Sequence, residues 1–534
     1  MKPTLVFQGP IFTRSGYGDH CRDLMKSLRK MDKYDIKIIP LRWGSTPQNQ
    51  VDGESEFGRW MLERVITEVR EKPDVFMQVS VANEFEPKGH YNIGVTAGVE
   101  TTIAPKDFID GSNKMDLIIV PSQFTKQNLG GTVYQQKNEA NGEIVGEIKT
   151  TTPIEVLFEG VDTEIFSKGS GKDVLENVKE DFNFLIVGHW LKGSLGQDRK
   201  DIGMAIKTFA TVFQYLPKDK RPGLIVKTSH AGFSVIDREG TREKLEGVLK
   251  PLGDKCPSVY LLHGDMEETD MSNLYHHPKV KAMISFAKGE GYGRPMAEFT
   301  LTGKPILASG WSGQMDFLPA ENSVLLEGSL TQVDESAADQ FCMKEAQWFS
   351  VNYSNAANKI YDVYNKYDSY LEKSKGLRES TLNNFTLDKM NDKFIEIINL
   401  MKNNNVDIIW DVKPDFVDQS NEVNLDTNSL DFSKECLMEI KKSYQTKTIR
   451  LKPNPLDFII IKKLNDDIAN INKSVVNEVM QIYYDRVSQI INNEFFVKNF
   501  IDIIRARKFA HYVFFDRCIE IPFIEKKQGD PPIK

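Results

Sequence analysis

The sequence predicts an α/β protein with two parallel, doubly wound sheets in tandem and a mainly helical C-terminal extension. Across the first 160 residues, and again from Phe182 to Ser309, short apolar runs alternate with amphipathic segments. The runs are apolar at consecutive positions, as in strands covered by helices on both faces. At 534 residues the chain is also too long for one core, given roughly 100 to 200 residues per domain. Hydrophobic residues make up 40% and charged residues 27%, so a mainly disordered chain is excluded.

The first strand is Thr4 to Gly9, and the segment from Asp19 places Cys21, Leu24, Met25 and Leu28 on one helical stripe. Further strands are expected at Tyr34 to Leu41, Asp74 to Val81, Tyr91 to Gly98, Asp116 to Ser122 and Ile154 to Val161, with a helix near Glu56 to Val69. Val133 to Lys149, centred on Asn141-Gly142, reads as an inserted β-hairpin. A polar segment, Lys168 to Lys179, precedes the second set. That set has strands at Phe182 to Gly188, Gly223 to His230, Val259 to Gly264, Lys281 to Gly289 and Pro305 to Ser309, and a helix over Ile202 to Phe213. From Leu330 to Met401 the pattern turns helical. The expected domains are therefore 1–170, 180–330, a closing helical part 331–402, and an accessory region 403–534. Two doubly wound sheets in tandem imply a cleft, with ligands outside the carboxyl ends of the strands.

The last part differs in character. Asp407 to Glu439 carries nine acidic residues against two lysines, and from Pro455 onward Ile/Asn/Lys-rich stretches have spacing for two or three helices. Arg505, Arg507 and Lys508 there can contact an anionic acceptor, and a scaffold or oligomer contact is an equal reading. Five widely spread cysteines, Cys21, Cys256, Cys342, Cys436 and Cys518, form no metal-binding spacing and read as free thiols. The N-terminal apolar stretch is too short for a signal peptide, and no run reaches the ~18 apolar residues of a membrane helix. A soluble, cytoplasmic protein is the expectation. The net charge of −8 argues against nonspecific grip on nucleic acid, though not against a local basic groove.

Three segments carry chemistry. After the first strand, Gly16 and Gly18 let backbone approach a ligand, and Asp19 can cap the helix that follows. The spacing is not that of a dinucleotide-binding G-x-G-x-x-G, and the carboxylate expected ~20 residues on is missing. The second segment, KGEGYGRPMAEF over 288–299, puts Glu290 at a strand's carboxyl end. Gly291 and Gly293 follow in a tight turn, Pro295 starts a helix and Glu298 lies one turn further on. Free amides there can meet phosphate or sugar oxygens while the two carboxylates sit at different depths. In the third, Arg199 and Lys200 stand just before the helix from Ile202, where they can offset charge on a diphosphate leaving group. Each segment also has an ordinary reading, respectively a structural turn, a helix-capping glutamate and a solvated basic pair.

Glu100 opens toward the cleft after a strand of the first sheet and can orient an acceptor hydroxyl or serve structure alone. Ser312 and Gly313 can bring amides near a donor, and Asp316 can brace that turn. His230 and His263, both at strand ends, can touch base or phosphate but have no metal-binding spacing, and His276-His277 reads as a surface turn.

Together these segments resemble the retaining nucleotide-sugar glycosyltransferases of family four (glycosyltransferase group 1), strongly over 182–318 and more broadly over 1–400. The resemblance implies the GT-B fold, two Rossmann-like domains facing a cleft, acceptor side first and donor side second. Its E-x7-E motif matches Glu290 through Glu298. By that likeness Glu290 contacts donor-sugar hydroxyls, Glu298 the nucleotide ribose, Arg199 and Lys200 the diphosphate, and Gly16 the loop beside it. Members often carry Arg or Asn after the first donor-domain strand, where this chain has Gly188-His189-Trp190. The resemblance further implies retention, no metal and no cofactor beyond a nucleoside diphosphate sugar as donor substrate.

The expected function is sugar transfer to an acceptor hydroxyl. The alternatives are an epimerase or sugar phosphorylase of the same fold, or a binding protein with weak catalysis. Glycan, protein, lipid and modified DNA acceptors stay open. The tail's composition is compatible with a viral member of the family, which would act in the host cytoplasm.

Overall fold

The computed structural model describes residues 2–138, 141–230, 232 and 234–400. The expectations for 403–534, including Arg505, Arg507 and Lys508, lie outside the described residues. The segment Asp52–Glu63 belongs to a different compact unit from the rest of the described chain.

The N-terminal half runs β1 (Thr4–Gly9), α1 (Gly16–Met31), β2 (Asp35–Pro40), α2 (Glu56–Leu62), β3 (Val75–Val79), β4 (Tyr91–Val95), α3 (Lys106–Ser112) and β5 (Leu117–Val120). It continues through α4 (Gln123–Gly131), β6 (Val133–Lys137), β7 (Ile144–Lys149), β8 (Ile154–Val156) and α5 (Thr163–Phe166). Six of these strands form one parallel sheet in the order β2-β1-β3-β4-β5-β8. The expected hairpin is the antiparallel pair β6 and β7.

The second half runs β9 (Asn183–Val187), α6 (Ile202–Phe213), β10 (Gly223–Lys227), α7 (Val235–Leu249), β11 (Val259–Leu262), α8 (Glu268–His276) and β12 (Val280–Ser285). Then come α9 (Arg294–Thr300), β13 (Ile306–Ser309), β14 (Val324–Leu326), β15 (Gly328–Gln332), β16 (Gln347–Val351), α10 (Tyr353–Asn365), α11 (Tyr367–Asn384) and α12 (Leu387–Leu400). A second six-stranded parallel sheet has the order β11-β10-β9-β12-β13-β14. Each sheet winds outward from its first strand in both directions, so the order reverses beside β1 in the first and between β9 and β12 in the second. Crevices open at such reversals. This is an α/β fold with the two parallel sheets of the GT-B architecture, followed by helices.

Local chemistry explains the elements. In α1, Ser15 caps the helix by accepting from Gly18 N at 3.1 Å, and Cys21, Leu24, Met25 and Leu28 are fully buried. In the second core, Phe184 of β9 packs edge-on to Phe209 at 5.8 Å and near-parallel to Phe213 at 6.0 Å, both from α6. Each such ring removed from water contributes roughly 1.5–3 kcal/mol. At the far end Leu387 N donates to Val161 O at 2.8 Å, and α12 lies along α1, where Lys30 pairs with Asp388 at 3.1 Å.

Two expectations need correction. The helix near Glu56 stops at Leu62 instead of reaching Val69, because the chain turns to pair as an edge: Ile38 N donates to Arg64 O and Ile66 N to Ile38 O, both at 2.8 Å. Beyond Leu330 the chain is not helical until Tyr353, since β15 and β16 first form an antiparallel hairpin. Trp348 explains it: its fully buried ring packs with Val333, Ala337 and Ala346.

Candidate active site

The loop between β12 and α9 is held from three sides. Gly313 N donates to Glu290 O and Glu290 N to Ser312 Oγ, both at 3.0 Å, and Ser122 Oγ donates to Gly291 O at 2.6 Å. A side chain at Gly291 would come 2.8 Å from Ala97 O, and Gly293 has φ 104°, which only glycine adopts without strain. Ser312 itself is strained at φ 74°. The amide of Gly313, expected to face a donor, is thus committed to the main chain of Glu290. Asp316 accepts from Gln123 N at 2.9 Å, bracing the start of α4.

Held this way, the Glu290 carboxylate meets the basic pair. Lys200 Nζ lies 2.5 Å from Glu290 Oε1, and Arg199 Nη1 lies 3.6 Å from Oε2. The same guanidinium nitrogen is 3.1 Å from Glu100 Oε1 and donates to Gly289 O at 2.8 Å. Lys288 N closes the frame by donating to Arg199 O at 2.7 Å. Glu290, Arg199, Lys200 and Glu100 therefore form one ionic cluster at the β9/β12 reversal, with Glu100 contributed from beyond β4 of the other sheet. Burial by itself would raise the Glu290 pKa, but Lys200 and Arg199 outweigh it and hold the carboxyl below its ordinary value.

Glu298, on α9, is 8% exposed. Its carboxylate accepts from Arg294 Nε at 3.0 Å and meets Tyr275 OH at 3.2 Å. Burial, aided by the charges of Asp19 and Glu268, pushes its pKa up to about 8 against the pull of Arg294. Arg294 also reaches Asp23 on α1, Nη1 to Oδ2 at 2.7 Å.

On the first sheet, Gly16 and Gly18 lie inside the first turn of α1 with ordinary negative φ. A side chain added at Gly16 would meet nothing within 4 Å, whereas one at Gly18 would collide with Thr13 O. Asp19, expected as the cap, instead pairs with Arg22, and Ser15 takes the capping role.

Several groups escaped the sequence reading. Arg294, at the start of α9, joins Asp23 of α1 to Glu298. Lys288 and Asp201 form a buried pair at 3.4 Å. Glu159, half-buried after β8, makes no hydrogen bond or ion pair among the described residues. Burial first, then the charges of Asp23, Asp19 and Glu290, raise its pKa to about 7, with Arg294 opposing. The expected strand, Ile154 to Val161, enclosed it, whereas β8 ends at Val156. His263 Nε2 is 2.7 Å from Asp237 Oδ1, and the His230 amide donates to the same oxygen at 3.0 Å. His276 and His277 are half-buried rather than on a surface turn, tied to Phe166 O at 2.9 Å and Asp173 Oδ1 at 3.2 Å. No group of His, Cys, Asp or Glu among the described residues could hold a metal ion, and no described helix is long and apolar enough to cross a membrane. Cys21, Cys256 and Cys342 are free thiols.

The cluster pairs two cations with two carboxylates at a sheet crevice. Such a set can exchange its internal ion pairs for those of a phosphate ligand. No protein-family model matches the sequence, and no curated protein does. Solved structures do resemble it. A glycosyltransferase from Rickettsia africae has 14% identity over 76% of this chain and 99% of its own, with a TM-score of 0.49. Sucrose-phosphate synthase from Thermosynechococcus elongatus has 12% identity over 76% of this chain and 100% of its own, with a TM-score of 0.49. Anabaena HepE, in complex with UDP and glucose, has 12% identity over 74% of this chain and 100% of its own, with a TM-score of 0.47.

Proposed function

We propose that this protein is a glycosyltransferase that moves a sugar from a nucleoside diphosphate sugar to an acceptor hydroxyl with retention at the anomeric carbon. The observation that carries the reading is the ion-paired set Lys200, Arg199 and Glu290 at the β9/β12 reversal, with Glu298 eight residues beyond Glu290 on α9. The basic pair neutralises Glu290. A donor diphosphate takes over Arg199 and Lys200, which frees the Glu290 carboxylate to accept hydrogen bonds from donor-sugar hydroxyls. As the bond from the anomeric carbon to the diphosphate breaks, the same cations meet the charge left on the leaving oxygen. Glu298 faces the ribose and Gly16 leaves room for the diphosphate at the start of α1. Glu100, which shares Arg199, holds that guanidinium from the acceptor side. Retention and the individual contacts follow the family resemblance of the motif.

The test is a panel of UDP-, GDP-, ADP- and dTDP-sugars offered with glycan, protein, lipid and modified-DNA acceptors, with products separated and their anomeric configuration read by NMR. Donor-dependent release of nucleoside diphosphate with a new glycoside of retained configuration supports the reading. An isomerised donor, or sugar 1-phosphate alone, overturns it in favour of an epimerase or a phosphorylase.

A further inference from the structure

Lys288 carries its charge into the interior two residues before Glu290. Its side chain is 1% exposed and that of Asp201 is fully buried. The Lys288 ammonium lies 3.4 Å from Asp201 Oδ2, donates to Ser350 Oγ at 3.1 Å and stands 5.8 Å from the centre of the Trp348 ring. The same Asp201 oxygen accepts from Tyr353 OH at 2.7 Å. A buried ion pair seldom stabilises a fold more than apolar residues of the same volume would, because both ions must be stripped of water. Its presence here calls for a role beyond stability.

Position supplies that role. Asp201 directly follows Lys200 and takes a left-handed conformation, φ 49°, at the start of α6, yet its side chain does not cap that helix. Lys288 directly precedes the Glu290 loop, and its main chain is tied on one side to Arg199 O at 2.7 Å and on the other to Phe349 N at 2.9 Å. The pair therefore joins the two segments that carry the cations and the carboxylate of the candidate site, from beneath, without reaching the site itself. We propose that Lys288, through its buried pair with Asp201, is a positioning residue that sets the separation of Arg199 and Lys200 from Glu290 to suit a diphosphate. This rests on the donor-binding reading above. Asp198, 1% exposed, adds a second buried carboxylate whose charge acts on both Asp201 and Lys288.

The experiment uses the full chain, with inorganic pyrophosphate and with UDP, GDP and ADP as probes in titration calorimetry, and thermal melting alongside. Lys288→Met should lower the melting temperature and weaken the best-bound probe at least tenfold. The double variant Lys288→Met/Asp201→Asn removes both charges, so its melting temperature should recover most of the loss while its affinity stays at least tenfold below wild type. Recovery of stability without recovery of affinity is the signature of positioning, since a merely structural pair would restore both. Affinity within twofold of wild type in the double variant overturns the proposal, as does wild-type affinity in Lys288→Met. If Lys288→Met does not fold, the double variant decides by the same criterion. Wild-type protein that binds none of the probes overturns the donor-binding reading and this proposal with it, whereas bound probe with unaltered variants overturns this proposal alone.

Discussion

Lys200 Nζ and Glu290 Oε1 stand 2.5 Å apart, joining the segment before α6 to the loop before α9 across the reversal of the second sheet. Each group is the other's substitute for a ligand. Glu290→Gln should therefore leave affinity for a bare nucleoside diphosphate equal or tighter, because Arg199 and Lys200 lose a competing anion. Lys200→Ala should weaken it. Both should slow transfer, the first by removing a charged acceptor for sugar hydroxyls, the second by leaving diphosphate charge uncompensated. Loss of one charged hydrogen bond corresponds to ~1.5 to 3 kcal/mol, roughly ten- to a hundredfold. Calorimetry with the diphosphate and initial rates with the full donor separate the two effects, and weaker diphosphate binding in Glu290→Gln would contradict the exchange.

Glu298 makes the fold sensitive to pH in a stated direction. Its pKa rises from the ordinary 4.5 to about 8 mainly through burial, so the folded protein holds a proton that the unfolded chain has released. Stability is therefore greatest below the unfolded value and falls as pH climbs toward 8. Glu159 adds the same sign only up to about 7, while Lys304, whose pKa burial lowers to about 7, contributes the opposite sign above that pH, so the Glu298 part is read as the difference between wild type and Glu298→Gln. Urea unfolding between pH 6 and 8.5 should give a wild-type midpoint that falls relative to that of Glu298→Gln as pH rises. Parallel curves for the two proteins would remove Glu298 as a cause.

The two glycines of α1 separate fold from ligand binding. Nothing lies within 4 Å of a side chain built at Gly16, while one at Gly18 meets Thr13 O. Gly16→Ala should melt within about 2 °C of wild type, since alanine favours a helix by roughly 1 kcal/mol over glycine. It should nevertheless weaken nucleotide-sugar binding, because the added methyl occupies the space proposed for the diphosphate. Gly18→Ala should instead lower the melting temperature by several degrees, the scale of ~1–3 kcal/mol for overpacking. Unchanged donor affinity in Gly16→Ala would take the diphosphate away from this loop.

The strands and the doubly wound class were legible because consecutive apolar residues mark strands covered on both faces, and α6 spans Ile202 to Phe213 as its pattern predicts, although α1 starts at Gly16 rather than Asp19. The Glu290 loop was legible for a similar local reason: glycine, proline and two carboxylates lie within nine positions of each other. What escaped depends on residues far apart in sequence. Trp348 and Phe349 read as part of a helical stretch until β15 supplies their partner strand. Lys288 and Arg294 carry no local mark of burial, and only Asp201 and Asp23, 87 and 271 positions away, account for them. Ser312 and Gly313 offered free amides in the sequence, but the turn that holds Glu290 uses the Gly313 amide and the Ser312 hydroxyl first.

Glu159 supplies the last prediction. It stands beyond β8 without an ion-pair partner, and the charged or ionisable groups that act on it come from both sheets: Asp19 and Asp23 on α1, Glu290, Tyr292 and Arg294 around the loop before α9, and Tyr17. With a pKa raised to about 7, it is largely protonated below that pH and anionic above it. A nucleotide sugar keeps a constant charge on its diphosphate over this range, so any change in its affinity reports the protein. Ionisation of Glu159 as pH rises from 6 to 8 adds a negative charge beside that diphosphate, and affinity should fall severalfold over this range. Glu159→Gln should bind as the wild type does at pH 6 and lose most of the decline up to pH 7.5, leaving the part due to Glu298 near pH 8. Calorimetric titrations at half-unit intervals would read both curves. Curves that remain parallel across the whole range would mean that Glu159 does not face the donor, and that its unpaired carboxylate is spent elsewhere in the cleft.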